Sequence, residues 1–437
     1  MSNVGDECPV HPAANGTPGR KRRLDWRRVV GPGLITGASD DDPSGIATYS
    51  QAGAQAGFSL SWTMILTFPL MTAVQMISAR LGRVTGHGLA GNLARHYPAW
   101  LTNALVLLLL IANTINIGAD LGAMADATAL VTGLPGPVFL LAFAVFCATA
   151  EVVMRYEAYA RVLKWLTLAL LSYIVTLFMV RIPWGEAARG LFLPRVEWTG
   201  ETLMMIVAIF GTTISPYLFF WQASQEAEEV QDHDDEQPLV CDPMEGRVEL
   251  RRIGLDTIIG MAASNLVALS ILFTTAATLN AHGVINIRTS ADAAEALRPF
   301  AGDYASLVFA LGIVGTGLLA VPVLAGSAAY AVGEARRWPV GLDCRPKRAK
   351  AFYATIVAAT MIGALMNFTP IDPIRALLVS AMINGVVAVP VMAIMMLVVS
   401  RKTVMGVFMV HGPLRWLGWL ATLVMAAAVV GMFFAMA

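Results

Sequence analysis

Asp42-Pro43-Ser44-Gly45, with Asp40 and Asp41 just before it, lies inside the first long apolar stretch of the chain. An ionisable residue at membrane depth is costly unless it faces a cavity, a partner or a bound ion. Three successive carboxylates there point to cation chemistry. Pro43 removes one backbone donor and interrupts the helix, which frees carbonyl oxygens that can ligate a cation, and such irregular backbone is tolerated only where it lines a cavity. A second apolar stretch repeats the device in Ile209-Phe210-Gly211-Thr212-Thr213-Ile214-Ser215-Pro216-Tyr217. The competing reading, that both prolines only kink packed helices, is disfavoured by the adjoining acids.

The elements that must hold these residues follow from composition. Hydrophobic residues make up 57% of the 437 residues and charged residues only 14%, which excludes a water-soluble domain and describes a polytopic membrane protein. Formal net charge is zero, so lipid is the partner that composition implies, and there is no basic face for nucleic acid. Cys8, Cys147, Cys241 and Cys344 are widely spaced, without a C-x-x-C pair, and suggest neither a disulfide framework nor a zinc site. Residues 1–29 are polar and end in Arg20-Lys21-Arg22-Arg23 and Arg27-Arg28, a disordered basic cytoplasmic tail with no apolar core of a signal peptide.

Eleven apolar segments follow, each long enough to cross ~30 Å of hydrocarbon at 1.5 Å per helical residue. They cover 30–56, 58–80, 101–131, 136–154, 158–181, 201–225, 253–280, 304–333, 351–369, 374–400 and 416–436. With the N-terminus inside, 24 of the 30 Lys and Arg residues fall on the cytoplasmic side, all but Arg181, Arg189, Arg195, Arg288, Arg298 and Arg375. That satisfies the positive-inside rule and places the C-terminus outside. The two interrupted segments open two groups of five, which predicts an all-α transporter of 5+5 inverted-repeat fold with broken helices 1 and 6 and a substrate site at the breaks. Residues 30–437 then form one transmembrane domain, with repeat one about 30–181, repeat two about 201–400 and an extra helix about 416–436.

Gly31-Pro32-Gly33, Asp42-Pro43, Ala47-Thr48 and Ser78-Ala79-Arg80-Leu81-Gly82-Arg83-Val84-Thr85-Gly86 resemble the opening of the Nramp family, proton-coupled divalent-metal transporters of eleven or twelve helices. In that family the first break reads D-P-G-N and the second M-P-H. The resemblance therefore carries the aspartate ligand to Asp42, puts Gly45 where the family has asparagine, Ser215 where it has methionine and Tyr217 where it has histidine. Exchanging a thioether for a hydroxyl removes a soft ligand, and oxygen donors suit Mg²⁺, and Mn²⁺ among transition metals. The pattern is similar to the Nramp-related magnesium transporters, and the expectation is Mg²⁺ first with Mn²⁺ close behind. A transition-metal site completed by other residues is the alternative.

Coupling is read from the same alignment of motifs. The helix 3 aspartate of the family matches Asp120, its nearby glutamate falls at Ala123, and the second helix 6 histidine falls at Gln222. All six histidines lie in the tail, loops or helix ends, so none serves as a mid-membrane relay. This favours uncoupled uptake driven by membrane potential, worth ~4.6 kcal/mol per 100 mV for two charges. Asn384 on the tenth segment is a ligand-shell candidate, whereas Asn113, Thr114 and Asn116 read as interhelical packing amides and hydroxyls. Gln222, Glu226 and Glu229 share one helix face toward the cytoplasm, either an exit path for cations or the start of a solvated loop.

Pro43 and Pro216 are the hinges of the two breaks. No paired catalytic constellation lies in the spans, so an enzyme is excluded and no cofactor is implied, the cation being cargo. The expected setting is a bacterial inner membrane, with a monomer as the expected state. An organic-solute transporter of the same fold remains a lesser alternative, because three acids before the break would repel a substrate carboxylate.

Overall fold

The computed structural model describes residues 32–153, 171–193, 196–232, 237–342, 344–368 and 372–436. The basic tail at 1–29 and residues 158–170 of the fifth expected segment lie outside them. Among the described residues the chain is all-helical, without strands. The first segment is divided into α1 (Pro32–Asp40) and α2 (Pro43–Ala56). The chain continues through α3 (Trp62–Thr85), α4 (Leu89–His96), α5 (Ala99–Thr132), α6 (Gly136–Val153), α7 (Leu171–Met179) and α8 (Trp184–Phe192). The sixth segment is again split, into α9 (Gly200–Thr213) and α10 (Pro216–Asp232). Then come α11 (Gly246–Thr278), α12 (Ala305–Arg336), α13 (Lys350–Met366), α14 (Pro373–Val399) and α15 (Gly412–Met436).

Eight of the described helical stretches are long and apolar enough to span a bilayer, counting α9 and α10 as one, and α13 is a shorter apolar helix. Beside these eight spans the described residues hold the divided α1–α2, the shorter α13 and the described end of the fifth expected segment. Burial separates centre from rim. The α9–α10 span is the most enclosed and α6 and α15 the least, with Val138, Val145, Trp416 and Phe434 turned outward as lipid-facing residues.

Both breaks have a local cause. Pro43 and Pro216 each open the second half-helix, at the first position, where the missing amide would have had no partner in any case. The structure therefore makes them helix starts rather than mid-helix kinks. Asp42 is the N-cap of α2, its carboxylate accepting from the Gly45 amide.

Small residues let the broken helices pack closely. On α1, Gly33 and Gly37 lie one turn apart against α11, and a Cβ placed on Gly37 would overlap the Gly260 backbone. Gly37→Val is expected to cost about 3 kcal/mol or more through overpacking. A lowered melting temperature and loss of monodisperse elution in detergent would register it, whereas wild-type behaviour would remove this contact from the packing account.

Neither Cys147 nor Cys344 is in a disulfide. Cys241 is disulfide-bonded, which the wide cysteine spacing does not predict.

Candidate metal-ion site

Asp42 sits at the junction of the two breaks and is 1% exposed. Its Oδ1 accepts from the Gly45 amide and from Ser44 Oγ, each at 2.7 Å. Its Oδ2 accepts from Asn116 Nδ2 at 2.9 Å, and Asn116 Oδ1 in turn accepts from Ser380 Oγ at 2.6 Å. The Ser44 amide also approaches the carboxylate, so donors from the first break and from Asn116 together fix its orientation. Gly45 serves here as a donor. A Cβ on it would lie 3.2 Å from Thr212 Oγ1 and 3.4 Å from the Tyr49 ring, so Thr212 of the second break closes the space that a side chain at this position would need.

Hydroxyl contacts join the breaks. Ser44 Oγ and Thr212 Oγ1 are 3.5 Å apart, and Tyr49 Oη lies 3.1 Å from Thr213 Oγ1. Tyr217 Oη donates to the Ser39 carbonyl at 3.0 Å, bridging α10 to α1. Ser215 Oγ lies within hydrogen-bond reach of the Gly211 and Thr212 carbonyls at 2.8 and 2.7 Å, covering acceptors that the break leaves bare. A hydroxyl that donates its hydrogen keeps its lone pairs, so Ser215 and Tyr217 retain the capacity to ligate a hard ion.

Two further helices converge on Asp42. Asn116 and Asp120 are four apart on α5, and Ser380 and Asn384 are four apart on α14, so each pair shares a helix face. Asn384 is fully buried with neither amide atom hydrogen-bonded, and Asp120 is fully buried near the Ser44 amide with neither oxygen closing a bond of good geometry. Open, buried polar groups at membrane depth carry a desolvation cost that a cation or a proton would relieve. Asn116, read from sequence as a packing amide, does make an interhelical hydrogen bond, and that bond is to the site aspartate itself.

Asp40 and Asp41 are buried beside the first break, where Ser264 Oγ approaches Asp40 Oδ2 at 2.6 Å and Asp41 Oδ1 at 3.2 Å. The acidic stripe on α10 is placed elsewhere. Gln222 Nε2 donates to Thr257 Oγ1 at 3.1 Å, while Glu226 and Glu229 each accept from Arg252 at 3.0 Å. An unencumbered acidic exit path is therefore replaced by an ion-pair cluster in this conformation. Among the described residues no group of three or more His, Cys, Asp or Glu side chains is placed to hold a metal ion, so any ion at Asp42 must draw on carbonyl, amide and hydroxyl oxygens.

A family model described as natural resistance-associated macrophage protein-like matches residues 33–435. The chain belongs to the Nramp family. Its Nramp relatives include a protein of Chromohalobacter salexigens named divalent metal cation transporter MntH, 29% identical over 73% of this chain and 73% of the relative. A second MntH, from Deinococcus radiodurans, is 25% identical over 94% of this chain and 90% of its own length. The Nramp fold is equally clear in three dimensions. The Eremococcus coleocola manganese transporter superposes with a TM-score of 0.70 at 16% identity, covering 95% of this chain and 89% of the other. A Na⁺-coupled sialic acid symporter shares the fold more distantly, with a TM-score of 0.57 at 14% identity over 93% of this chain and 89% of the other.

Proposed function

We propose that this protein carries divalent metal cations into the cell by alternating access, with Mn²⁺ as principal substrate and protons as the coupled ion. The observation that carries the reading is the Asp42 carboxylate, held by Asn116 and the Gly45 amide where two broken helices meet. Ser215, Tyr217, Asn384 and the carbonyls of the breaks complete an oxygen donor set, and water fills the remainder, an environment suited to Mn²⁺ and to Mg²⁺. The order of those two ions expected from sequence is reversed in this reading, which is supported by relatives named divalent metal cation transporter MntH and by a structural neighbour named as a manganese transporter.

Coupling is likewise revised from uniport. Asp120 offers two bare carboxylate oxygens one turn from Asn116, a place to carry a proton beside the cation. The domain scheme, one transporter domain at 30–437 in an inner membrane with the N-terminus cytoplasmic, rests on the loop charges and on the two broken spans.

The test is Mn²⁺ uptake into proteoliposomes containing a pH indicator. Uptake above that of protein-free liposomes, with internal acidification, is the expected result, and Asp120→Asn should uncouple the two so that Mn²⁺ enters with acidification reduced several-fold. Absence of Mn²⁺ entry would overturn the transport reading, and Mn²⁺ entry without acidification in the unsubstituted protein would restore uniport.

A further inference from the structure

α11 packs along α1 and reaches α10 through side chains, the two half-helices that lie on the tail side of the cation site. Asp256 reaches α1, where its Oδ2 accepts from the Gly33 amide at 2.7 Å and its Oδ1 from the Leu34 amide at 3.1 Å. These are first-turn amides with no acceptor within their own helix, so α11 supplies the cap that α1 lacks. Ser264, eight residues further along α11, meets Asp40 at the other end of α1. Eight residues rise about 12 Å, close to the length of this nine-residue helix. The two helices are therefore pinned at both ends of α1.

Arg252 lies one turn before Asp256 on the same face and grips the other half-helix. Its guanidinium is 3.0 Å from Glu226 Oε2 and 3.0 Å from Glu229 Oε2 on α10, and its Nε is 3.0 Å from Glu249. Glu249 also lies 3.4 Å from Arg83 on α3, which anchors the cluster to an unbroken span. Glu226 is fully buried and the Arg252 side chain is 8% exposed, while Glu229 at 34% forms the solvent-facing edge of the cluster.

We propose that Arg252 and Asp256 form one clamp, carried by α11, that holds α1 and α10 shut on the tail side, and that its release opens the cation site to that side. The proposal rests on the alternating-access reading and gives it two positioning residues that do not touch the ion. Breaks at Asp41-Asp42 and Ile214-Ser215 leave α1 and α10 free to swing as short rigid pieces once their grips on α11 are lost.

Thr36 is the reporter, because it is fully buried on α1 and its hydroxyl bonds only to the carbonyl of Pro32 in its own helix. Thr36→Cys is made in protein whose four native cysteines are replaced by serine, and a membrane-impermeant maleimide is applied to the tail side. Asp256→Asn places an amide NH₂ against the α1 amides, and Arg252→Gln strands the α10 carboxylates. Each is expected to raise the labelling rate of Thr36→Cys about tenfold or more, the effect of losing a charge-assisted hydrogen bond that only the closed form makes. Arg252→Lys, which keeps the charge and loses the fork, should give a smaller rise.

A second reporter, Ser270→Cys, buried further along α11, should not change. Unchanged labelling at Thr36→Cys in the folded variants, or an equal rise at Ser270→Cys, would overturn the clamp. Labelling is read without any transported ion, so a failure of Mn²⁺ uptake in the unsubstituted protein would strike the transport reading and leave the clamp result legible.

Discussion

Asp42→Ala is expected to lower Mn²⁺ uptake by about a hundredfold or more, the equivalent of roughly 3 kcal/mol for losing the charged partner of a desolvated pair. The fold should survive. The side chain caps α2, and losing such a cap costs about 1 kcal/mol, but Pro43 still starts the helix, and removing one of three adjacent buried acids relieves repulsion. Asp42→Asn separates the two roles, since its amide oxygen can still cap the Gly45 amide while the charge is gone. Uptake in proteoliposomes and the melting temperature in detergent check both. An Asp42→Asn protein that transports at the wild-type rate would show that this carboxylate does not hold the ion.

Ser215→Met combined with Gly45→Asn is expected to raise Cd²⁺ uptake about tenfold relative to Mn²⁺, because a thioether favours soft ions that hydroxyl and carbonyl oxygens do not. Ser215→Met alone should supply most of the gain. Its thioether would replace the hydroxyl that covers the Gly211 and Thr212 carbonyls, leaving those oxygens to the cation or to water. Gly45→Asn has to displace Thr212, whose Oγ1 lies 3.2 Å from the new Cβ, so its contribution depends on that rearrangement. Competition of Cd²⁺ against Mn²⁺ uptake measures the shift. An unchanged ratio in the double variant would mean that residue 215 does not face the ion, and the hardness argument would fall with it.

The sequence was most informative where local chemistry is unambiguous. Proline among small polar residues, twice, at matching places in two runs of apolar helices, located both breaks to within a residue or two, because proline at the first helical position leaves little freedom in where the second half begins. Asp42 was legible for the same reason, as a charge that membrane depth does not tolerate without cause.

What escaped was set by long-range contact. Asn116 reads as one of three ordinary polar residues on α5, and only the approach of α2 turns it into the partner of Asp42. Its spacing of four from Asp120, and the same spacing from Ser380 to Asn384, was the one available signal. Glu226 and Glu229 show the converse. Their shared face was correctly periodic, but periodicity cannot reveal that Arg252, on another helix, neutralises both. Substrate identity was least legible, because hydroxyl and carbonyl oxygens accept both Mg²⁺ and Mn²⁺ and the missing methionine excludes neither.

Anomalous scattering from crystals soaked in Mn²⁺ tests the central claim most directly. The account predicts a single strong peak between the two breaks, within about 2.0–2.6 Å of an Asp42 carboxylate oxygen and of backbone carbonyls, the range of hard divalent ions on oxygen. The peak should vanish in Asp42→Ala. A peak away from both breaks, or one that persists without the Asp42 carboxylate, would contradict it.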